Sequence, residues 1–220
     1  MHWVKEAINM TDFEKMNVGE LFNQTNKSLL FRMARTYCLV RKLNRTSLLN
    51  QPKRNRLLKK IFGAIDGNSY YVQSPLYIDY GFNTYVGKNL LSNYNLVIQD
   101  EGKVCIGDDV MIGPNVSIIT NLHPLVSEER KVCWVPNRFP HNHKGNFVYA
   151  QPVTIGDRVW ICTGATICPG VTIGNDTIIG AGSVVTRNIP SGVLAYGIPC
   201  KVIRPITEED RIEVELKTRS

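Results

Sequence analysis

The stretch from residue 155 to residue 190 repeats in blocks of six residues, and this period limits the possible folds more than any other feature. An aliphatic residue opens every block, and a small residue follows it. The residues that open the blocks are Ile155, Ile161, Ile167, Ile173, Ile179 and Val185. A period of six matches neither an α-helix, at about 3.6 residues per turn, nor a simple alternating strand, at about 2. The stretch therefore needs a different geometry.

A coil with three flat sides explains the period, because each block then forms one side and points its first residue inward. Three blocks complete one turn, and like residues stack from coil to coil in a continuous core. The alternative is a sandwich of Val- and Ile-rich strands, but sandwich strands do not keep one phase over so long a stretch. We therefore predict a mainly β protein built on a left-handed parallel β-helix of hexapeptide repeats.

The remaining sequence divides around this coil. Residues 1–69 are predicted to form an N-terminal helical segment, and the coil is predicted over 70–206, with a degenerate phase at its start. The phase breaks after Ile118, and 121–152 is predicted to be a long excursion loop of the kind that is usually functional or disordered. Residues 207–220 form a predicted C-terminal tail with a short helix.

Within the N-terminal segment, helices are predicted over 11–22, 27–45 and 53–65. Thr11 or Asp12 can cap the first of them. The sequence Asp66-Gly67-Asn68 is predicted to be the turn that ends the third helix.

The charge of the chain is uneven. The formal net charge is +7, and residues 27–60 hold eleven Lys and Arg with no Asp or Glu. This segment is either a solvated helical face or a surface that attracts an anionic ligand. Nucleic acid is not expected as a partner, because no known reader motif or interleaved aromatic residues accompany the charge.

Other features bear on the compartment. The chain has no run of 18 apolar residues and no secretory signal, so neither a membrane span nor export is predicted. The six cysteines are scattered without a CxxC pair, which favours reduced thiols and a cytoplasmic protein.

One histidine stands where the regular coil expels the loop, in Thr120-Asn121-Leu122-His123-Pro124. A side chain at this point lies in a cleft and not in the core. Histidine changes its protonation near neutral pH, which suits a general base. His123 is therefore the candidate catalytic residue.

Four runs of sequence resemble the hexapeptide-repeat acyltransferases. They are IGPNVSIITNLHP, VTIGDRVWI, PGVTIG and IIGAGSVVTRNIPSGVLAYGIPCKVIR. Within that superfamily the chain is most similar to the galactoside and maltose O-acetyltransferases, over about residues 57–206. The resemblance implies an acetyl-CoA-dependent transferase that forms a homotrimer, with active sites between neighbouring coils and with no metal ion.

The resemblance also implies roles for individual residues. His123 would take the proton from the acceptor hydroxyl as that oxygen attacks the thioester, and Asn93 would help to hold the acceptor. Trp160 corresponds to a tryptophan near the thioester, and a backbone N–H near Thr163 is the candidate donor for the oxyanion. Coenzyme A contacts are implied for Thr163, Ala181, Thr186, Arg187, Lys201 and Arg204. Thr163 and Ala181 can also be plain packing residues, and Lys201 and Arg204 plain surface charge.

The acceptor side departs from the pattern of the sugar enzymes. Asp79 stands where they usually carry Ser, Glu101 where they carry Asp, and Gln24 about where an acceptor-binding Asp is expected. Asp79 and Glu101 are taken as acceptor-binding candidates. The acceptor hydroxyl is left open between a free sugar, a polysaccharide or nucleotide-sugar precursor, and an antibiotic.

Three alternatives to an O-acetyltransferase remain. An N-acetyltransferase on an amino sugar would use the same fold. A metal-dependent lyase of the carbonic-anhydrase type would need three converging histidines, for which His123, His141 and His143 supply only the number. A non-enzymatic scaffold with an inactive site is the third.

Overall fold

The structure is a computed structural model that describes residues 10–67, 70–135 and 143–212, and a parallel β-helix of six coils forms its centre. With strands numbered along the chain, the first face contains β2 (Ala64–Ile65), β5 (Thr84–Val86), β8 (Val104–Ile106), β15 (Val153–Ile155) and β18 (Thr172–Ile173). The second face contains β3 (Tyr71–Val72), β6 (Leu91–Ser92), β9 (Met111–Ile112), β16 (Trp160–Ile161), β19 (Ile178–Ile179), β21 (Val193–Gly197) and β22 (Cys200–Pro205). The third face contains β4 (Leu76–Ile78), β7 (Leu96–Gln99), β10 (Ser117–Ile119), β17 (Thr166–Ile167) and β20 (Val184–Val185).

Inward-pointing aliphatic residues stack in register along each face. On the third face, Ile118 pairs with Ile98 of the preceding coil and with Ile167 of the next, and all three are buried. All strand pairs within the three faces are parallel except the last, between β21 and β22. The hexapeptide prediction is therefore confirmed, and the core is the line of stacked aliphatic residues along the coil axis.

The corners turn through residues with left-handed backbone angles. Between the first and second faces these residues are Asn89, Asp109, Arg158 and Asp176, with φ from 55° to 58°. Asn and Asp tolerate this conformation better than most residues, whereas an arginine is uncommon there. The guanidinium of Arg158 is held by the carboxylate of Asp176 in the next coil, with an Nε–Oδ1 distance of 2.6 Å.

Side chains at the same corner also link the coils. The Asp157 carboxylate accepts a hydrogen bond from the Asp108 backbone N–H at 2.9 Å, and Asn175 accepts from the Asp157 N–H at 2.9 Å. These links require the preceding residue to have no side chain. A Cβ on Gly107 would lie 2.7 Å from the carbonyl carbon of Gly156 and 2.8 Å from the Asp157 nitrogen.

The corner between the third and first faces is longer than the others in the early coils. Ile78 and Val86 lie eight positions apart, and so do Ile98 and Ile106, whereas Ile167 and Ile173 lie six apart. The two additional residues in each of these corners explain the degenerate phase at the start of the coil. In the third coil the same corner is extended into the excursion.

The predicted excursion contains short strands of its own. They are β11 (Asn121–Leu122), β12 (Cys133–Val135), β13 (His143–Gly145) and β14 (Phe147–Ala150). Strand β14 pairs antiparallel with β11 on one side and with β1 (Phe22–Asn23) on the other. This three-stranded sheet joins the excursion to the N-terminal segment.

The N-terminal segment contains three helices, as predicted, with different ends: α1 (Asp12–Val18), α2 (Lys27–Asn44) and α3 (Gln51–Ile61). Thr11 caps α1 in a capping box with Glu14, and Gly19 ends it in a left-handed conformation. The third helix ends at Ile61 and not at the predicted turn, because Ala64 and Ile65 already form the first strand of the coil. The coil therefore begins before the predicted boundary at residue 70.

The C-terminal tail begins with a 3₁₀ helix, Glu208–Asp210, and the predicted tail residues 213–220 lie outside the described residues. None of the helices in the described part of the chain has the length and apolar run that a membrane crossing requires.

The coil contacts predict how two glycines respond to substitution. Gly107→Ala should lower the free energy of unfolding by about 3 kcal/mol, because the new methyl group collides with the backbone of the next coil. Gly192→Ala is the matched control, since no atom lies within 4 Å of a Cβ there. Its left-handed φ of 71° costs about 1 kcal/mol. Denaturant unfolding of both variants measures the difference, and equal losses would contradict the account of coil stacking.

Candidate active site

The extended corner between the third and first faces collects the carboxylates and the candidate base. Its additional residues place Asp79 in the first coil and Asp100 and Glu101 in the second, and the excursion that carries His123 leaves from the third. His123 follows directly after β11 and is exposed. The structure therefore brings three of the predicted site residues, Asp79, Glu101 and His123, to one corner.

Glu101 lies below the surface of this corner. Its side chain is fully buried, and its Oε1 atom lies 3.4 Å from the Gln24 side-chain nitrogen and 3.5 Å from that of Asn121. Its Oε2 atom is buried without a hydrogen-bond partner among the described residues. Glu101 thus underlies Gln24 and Asn121, whereas half-buried Asp79 is nearer the surface. Sequence reasoning did not identify Asn121 as part of this group.

Burial changes the protonation of these carboxyl groups. It raises the pKa of Glu101 to about 8, and the charge of Asp79 adds to the effect. Burial also raises the pKa of Asp100 to about 6, although the Tyr80 N–H and the Thr84 hydroxyl donate to that carboxylate at 2.8 and 2.9 Å. The pKa of Asp79 is likewise raised by burial, against a hydrogen bond from Gln99. A neutral Glu101 has an O–H that can donate as well as accept.

Tyr80 connects the corner to the N-terminal segment. Its ring belongs to a small second core with Met16, Phe22, Leu29 and Val148. The Thr36 hydroxyl of α2 donates to the Tyr80 carbonyl at 2.6 Å. The carboxylate corner is therefore fixed from outside by both the helices and the excursion.

A buried threonine holds the two ends of the excursion together. The Thr120 hydroxyl donates to the Gln99 carbonyl at 2.6 Å and accepts from the Gly102 N–H at 2.8 Å. The Gln151 N–H then donates to the Thr120 carbonyl at 2.9 Å. His123 leaves the coil from this rigid base, and beyond it lies a cavity of about 550 Å³, which is lined by Leu21, Pro124, Leu125, Glu129, Phe147 and Tyr149.

Asn93 and Trp160 lie together on a different side of the coil. Both line a cavity of about 240 Å³, with Leu91, Met111, Ile112 and Gly113. Trp160 is 45% exposed on the second face, and the side-chain Oδ1 atom of Asn93 accepts a hydrogen bond from the Tyr94 N–H at 2.9 Å. The structure therefore brings these two residues together, on a side of the coil away from the His123 corner.

Thr163 and Ala181 occupy equivalent positions of two successive coils, at the corner between the second and third faces. The Thr163 carbonyl accepts from the N–H of Gly182 at 2.8 Å, and both Thr163 and Ala181 are exposed. Within the described part of the chain the Thr163 N–H has no acceptor at hydrogen-bond distance.

The predicted cations lie toward the C-terminal end of the coil. Thr186 and Arg187 are exposed at the corner after β20, and Lys201 and Arg204 lie on β22 at the edge of the second face. Arg204 is already engaged, because its guanidinium makes two hydrogen bonds of 2.7 and 2.6 Å to the Asp210 carboxylate.

The geometry thus divides the predicted residues into two groups. The corner half-site contains Asp79, Glu101 and His123, and the face half-site contains Asn93, Trp160 and Thr163. Within residues 10–67, 70–135 and 143–212, no group of three His, Cys, Asp or Glu side chains is arranged to hold a metal ion. The three-histidine alternative also needs His141, which lies outside the described residues.

Comparison with family models gives two matches in this chain. Residues 152–187 match the model described as bacterial transferase hexapeptide (six repeats), and residues 15–67 match the maltose acetyltransferase hexapeptide capping motif. The galactoside O-acetyltransferase of Escherichia coli (strain K12) is 38% identical over 204 residues, which is 93% of this chain and 94% of that protein.

Two solved structures are similar over nearly the whole chain. A maltose O-acetyltransferase from Clostridium difficile 630 has a TM-score of 0.82 and 39% identity, covering 90% of this chain and 99% of that one. A galactoside acetyltransferase in complex with coenzyme A has a TM-score of 0.82 and 37% identity, covering 96% and 100%.

The buried corner predicts a pH dependence of stability. An unfolded Glu101 loses its proton near its ordinary pKa, whereas the folded group keeps it to about pH 8. The folded state therefore binds more protons between these values, and the free energy of unfolding should fall as the pH rises through this window. Glu101→Gln is a neutral variant of similar shape, so its loss of stability from pH 5 to pH 8 should be smaller.

Denaturant unfolding at several pH values measures this difference. Asp66→Asn provides a control at a carboxylate outside the corner. Parallel pH curves for wild type and Glu101→Gln would contradict the burial argument.

Proposed function

Because the chain belongs to the hexapeptide-repeat acetyltransferases, the family of the galactoside and maltose O-acetyltransferases, we propose that it transfers an acetyl group from acetyl-CoA to a sugar hydroxyl. The observation that carries the proposal is the extent of the similarity. It covers 96% of the chain in the galactoside acetyltransferase that was solved with coenzyme A, and so spans both half-sites.

The chemistry is direct transfer between two bound substrates. His123 removes the proton from the acceptor hydroxyl while that oxygen forms a bond to the thioester carbonyl carbon. The carbon–sulfur bond then breaks, the acetyl group stays on the acceptor oxygen, and the sulfur leaves as the thiol of coenzyme A with the proton from His123. The N–H of Thr163, which has no acceptor among the described residues, stabilises the oxyanion that forms in between.

Coenzyme A lies along the corner of Thr163 and Ala181, with Trp160 beside the thioester. The exposed residues Thr163 and Ala181 leave room for the pantetheine arm. Lys201 contacts the phosphates, together with Thr186 and Arg187. Arg204 joins them only by exchanging its carboxylate partner Asp210 for a phosphate.

The acceptor is a polyhydroxylated molecule that faces Asp79, Gln24 and Asn121, and the buried Glu101 supports the two amide side chains from below. Carboxyl and amide groups match sugar hydroxyls, because each can accept or donate a hydrogen bond. An amino sugar is the second candidate, since the carboxylate of the half-buried Asp79 attracts a cation. An antibiotic hydroxyl satisfies the same geometry, and an inactive scaffold would give no acetyl transfer at all.

A homotrimer accounts for the division into two half-sites. The His123 corner and the Asn93 face lie on different sides of one coil. In a homotrimer, the corner half-site of one subunit meets the face half-site of its neighbour, and three complete sites form. The exposed apolar residues Leu91, Met111 and Trp160 on the second face are suited to such an interface.

The enzyme works in the cytoplasm. The cysteines whose side chains the structure describes are free thiols, in agreement with a reducing compartment. They are Cys38, Cys105, Cys162, Cys168 and Cys200.

Replacing the base tests the mechanism. His123→Ala should reduce the rate of acetyl transfer about 10²–10⁴-fold, which is the usual contribution of a general base. Release of coenzyme A thiol in the presence of a panel of sugars measures the rate, and coenzyme A binding should be unchanged. Arg211→Ala, an exposed substitution in the tail, is the control. A His123→Ala enzyme with more than a tenth of wild-type activity would remove His123 from this role.

A second experiment tests the shared site. His123→Ala and Asn93→Ala should each be nearly inactive alone, but co-expression should restore activity, because about a quarter of the interfaces in randomly mixed trimers then combine two intact halves. The control is a mixture of the two variants after separate assembly. If co-expression restores no activity while mixed trimers are present, the two halves do not form one site.

A further inference from the structure

The proposed reaction leaves the basic N-terminal segment without a role, and a groove on α2 gives it one. The groove has a volume of about 580 Å³, and its walls are formed by Lys27, Ser28, Phe31, Arg32, Arg35 and Phe82. Its size lies within the range of small-molecule sites, which is about 300–1,000 Å³. We call these six residues the α2 groove.

The α2 groove combines cations with exposed aromatic surface. Phe31 is 74% exposed, although it lies in the middle of the most basic part of the chain. Lys27, Phe31 and Arg35 are spaced by four residues, so they form one row on the outer side of the helix. A simple solvated helical face does not require a large exposed ring between two cations.

Arg32 of the groove is held in place by aromatic rings, and neither Arg32 nor Arg35 forms an ion pair among the described residues. The Arg32 guanidinium lies 4.2 Å from the ring centre of Phe13 and 5.5 Å from that of Phe82, so it is fixed before any ligand binds. The four ion pairs found in the described residues involve neither Arg32 nor Arg35. By contrast, Arg54 of the same basic segment is buried and donates to the Thr46 and Val72 carbonyls, which gives it a structural role.

The α2 groove is connected to the acceptor corner. Phe82 lies in the same extended corner as Asp79, and its ring is 5.6 Å from that of Tyr80. Gln24, which contacts Glu101, lies three residues before Lys27. A ligand that reaches from the corner into the groove would meet carboxyl groups at one end and cations with aromatic rings at the other.

We propose that the α2 groove binds the nucleoside diphosphate part of the acceptor, so that the acceptor is a nucleotide-linked sugar. This inference rests on the proposed acetyl transfer at the corner. The base stacks on Phe31 and Phe82, and the phosphates accept hydrogen bonds from Arg32, Arg35 and Lys27. The sugar extends to the corner, where Asp79, Gln24 and Asn121 match its hydroxyls and the charge of Asp79 repels a phosphate placed there.

Direct binding tests the groove without relying on turnover. UDP is titrated calorimetrically into the protein with coenzyme A at saturation, so that the coenzyme's own site is occupied. UDP should bind at least tenfold more tightly than uridine or pyrophosphate, because each of these supplies only half of the contacts. Phe31→Ala and Arg35→Glu should each weaken UDP binding at least tenfold.

The matched control is Arg41→Glu, which changes a cation of α2 outside the groove. It should leave UDP binding within about twofold of wild type, because exposed charges at this distance are largely screened by salt. Equal losses for Arg35→Glu and Arg41→Glu would mean that UDP is attracted only by the overall positive charge of the segment, and would overturn the proposal. Pyrophosphate binding as tightly as UDP would remove the nucleoside from it.

Measurements of acetyl transfer distinguish a failure of the α2 groove from a failure of the proposed function. A UDP-hexose should be acetylated with a KM at least tenfold below that of the free hexose, and Arg35→Glu should remove this advantage while kcat for the free hexose stays unchanged. Acetylation of free sugars without UDP binding would overturn the groove and leave the proposed function intact. Groove-dependent UDP binding without any acetyl transfer would support the groove and contradict the proposed function.

Discussion

Every coil of this protein depends on contact with the next coil. A single turn leaves both edges of each short strand unpaired and both sides of its inward aliphatic residues exposed, and only the turns above and below satisfy them. The pairing of Ile118 with Ile98 and Ile167 is the clearest case. The long excursion separates Ile118 from Ile167 in sequence, but it does not shift their register. Additional residues are therefore tolerated only where the chain turns, at the corners.

This constraint explains the position of the candidate site. A corner can be lengthened without disturbing the stacked core. One corner is lengthened in three successive coils, by two residues at 79–85 and at 99–105 and by the whole excursion after Thr120. The lengthened corners stack on one another, so the polar residues they carry are collected along one edge of the prism. Burial of that edge under the N-terminal segment then raises the pKa of Glu101 and Asp100.

The sequence predicts the parts of the molecule that follow a local rule. The six-residue period predicts the coil, and the point at which the period breaks identifies His123 as the candidate base. The boundary of the third helix was wrong because Ala64 and Ile65 carry no sign of the pairing with Tyr85 and Val86 that makes them a strand. The strand β14 was missed for the same reason, since its two partners are distant in sequence. Glu101 could be predicted as a candidate from the sequence, but its burial under Gln24 and Asn121 depends on contacts between three separate segments.

The sheet formed by β1, β14 and β11 also has a consequence for the order in which the molecule folds. The first three coils close through pairs about 20 residues apart, such as Val86 with Ile106, whereas Ile106 meets Ile155 only across 49 positions and Phe22 meets Val148 across 126. Contacts of larger sequence separation form more slowly, because more chain entropy is lost before they are made. During synthesis, the first three coils can therefore assemble as they emerge. The junction with the fourth coil, and with it the edge that carries His123, is completed only after the return strand of the excursion has been made.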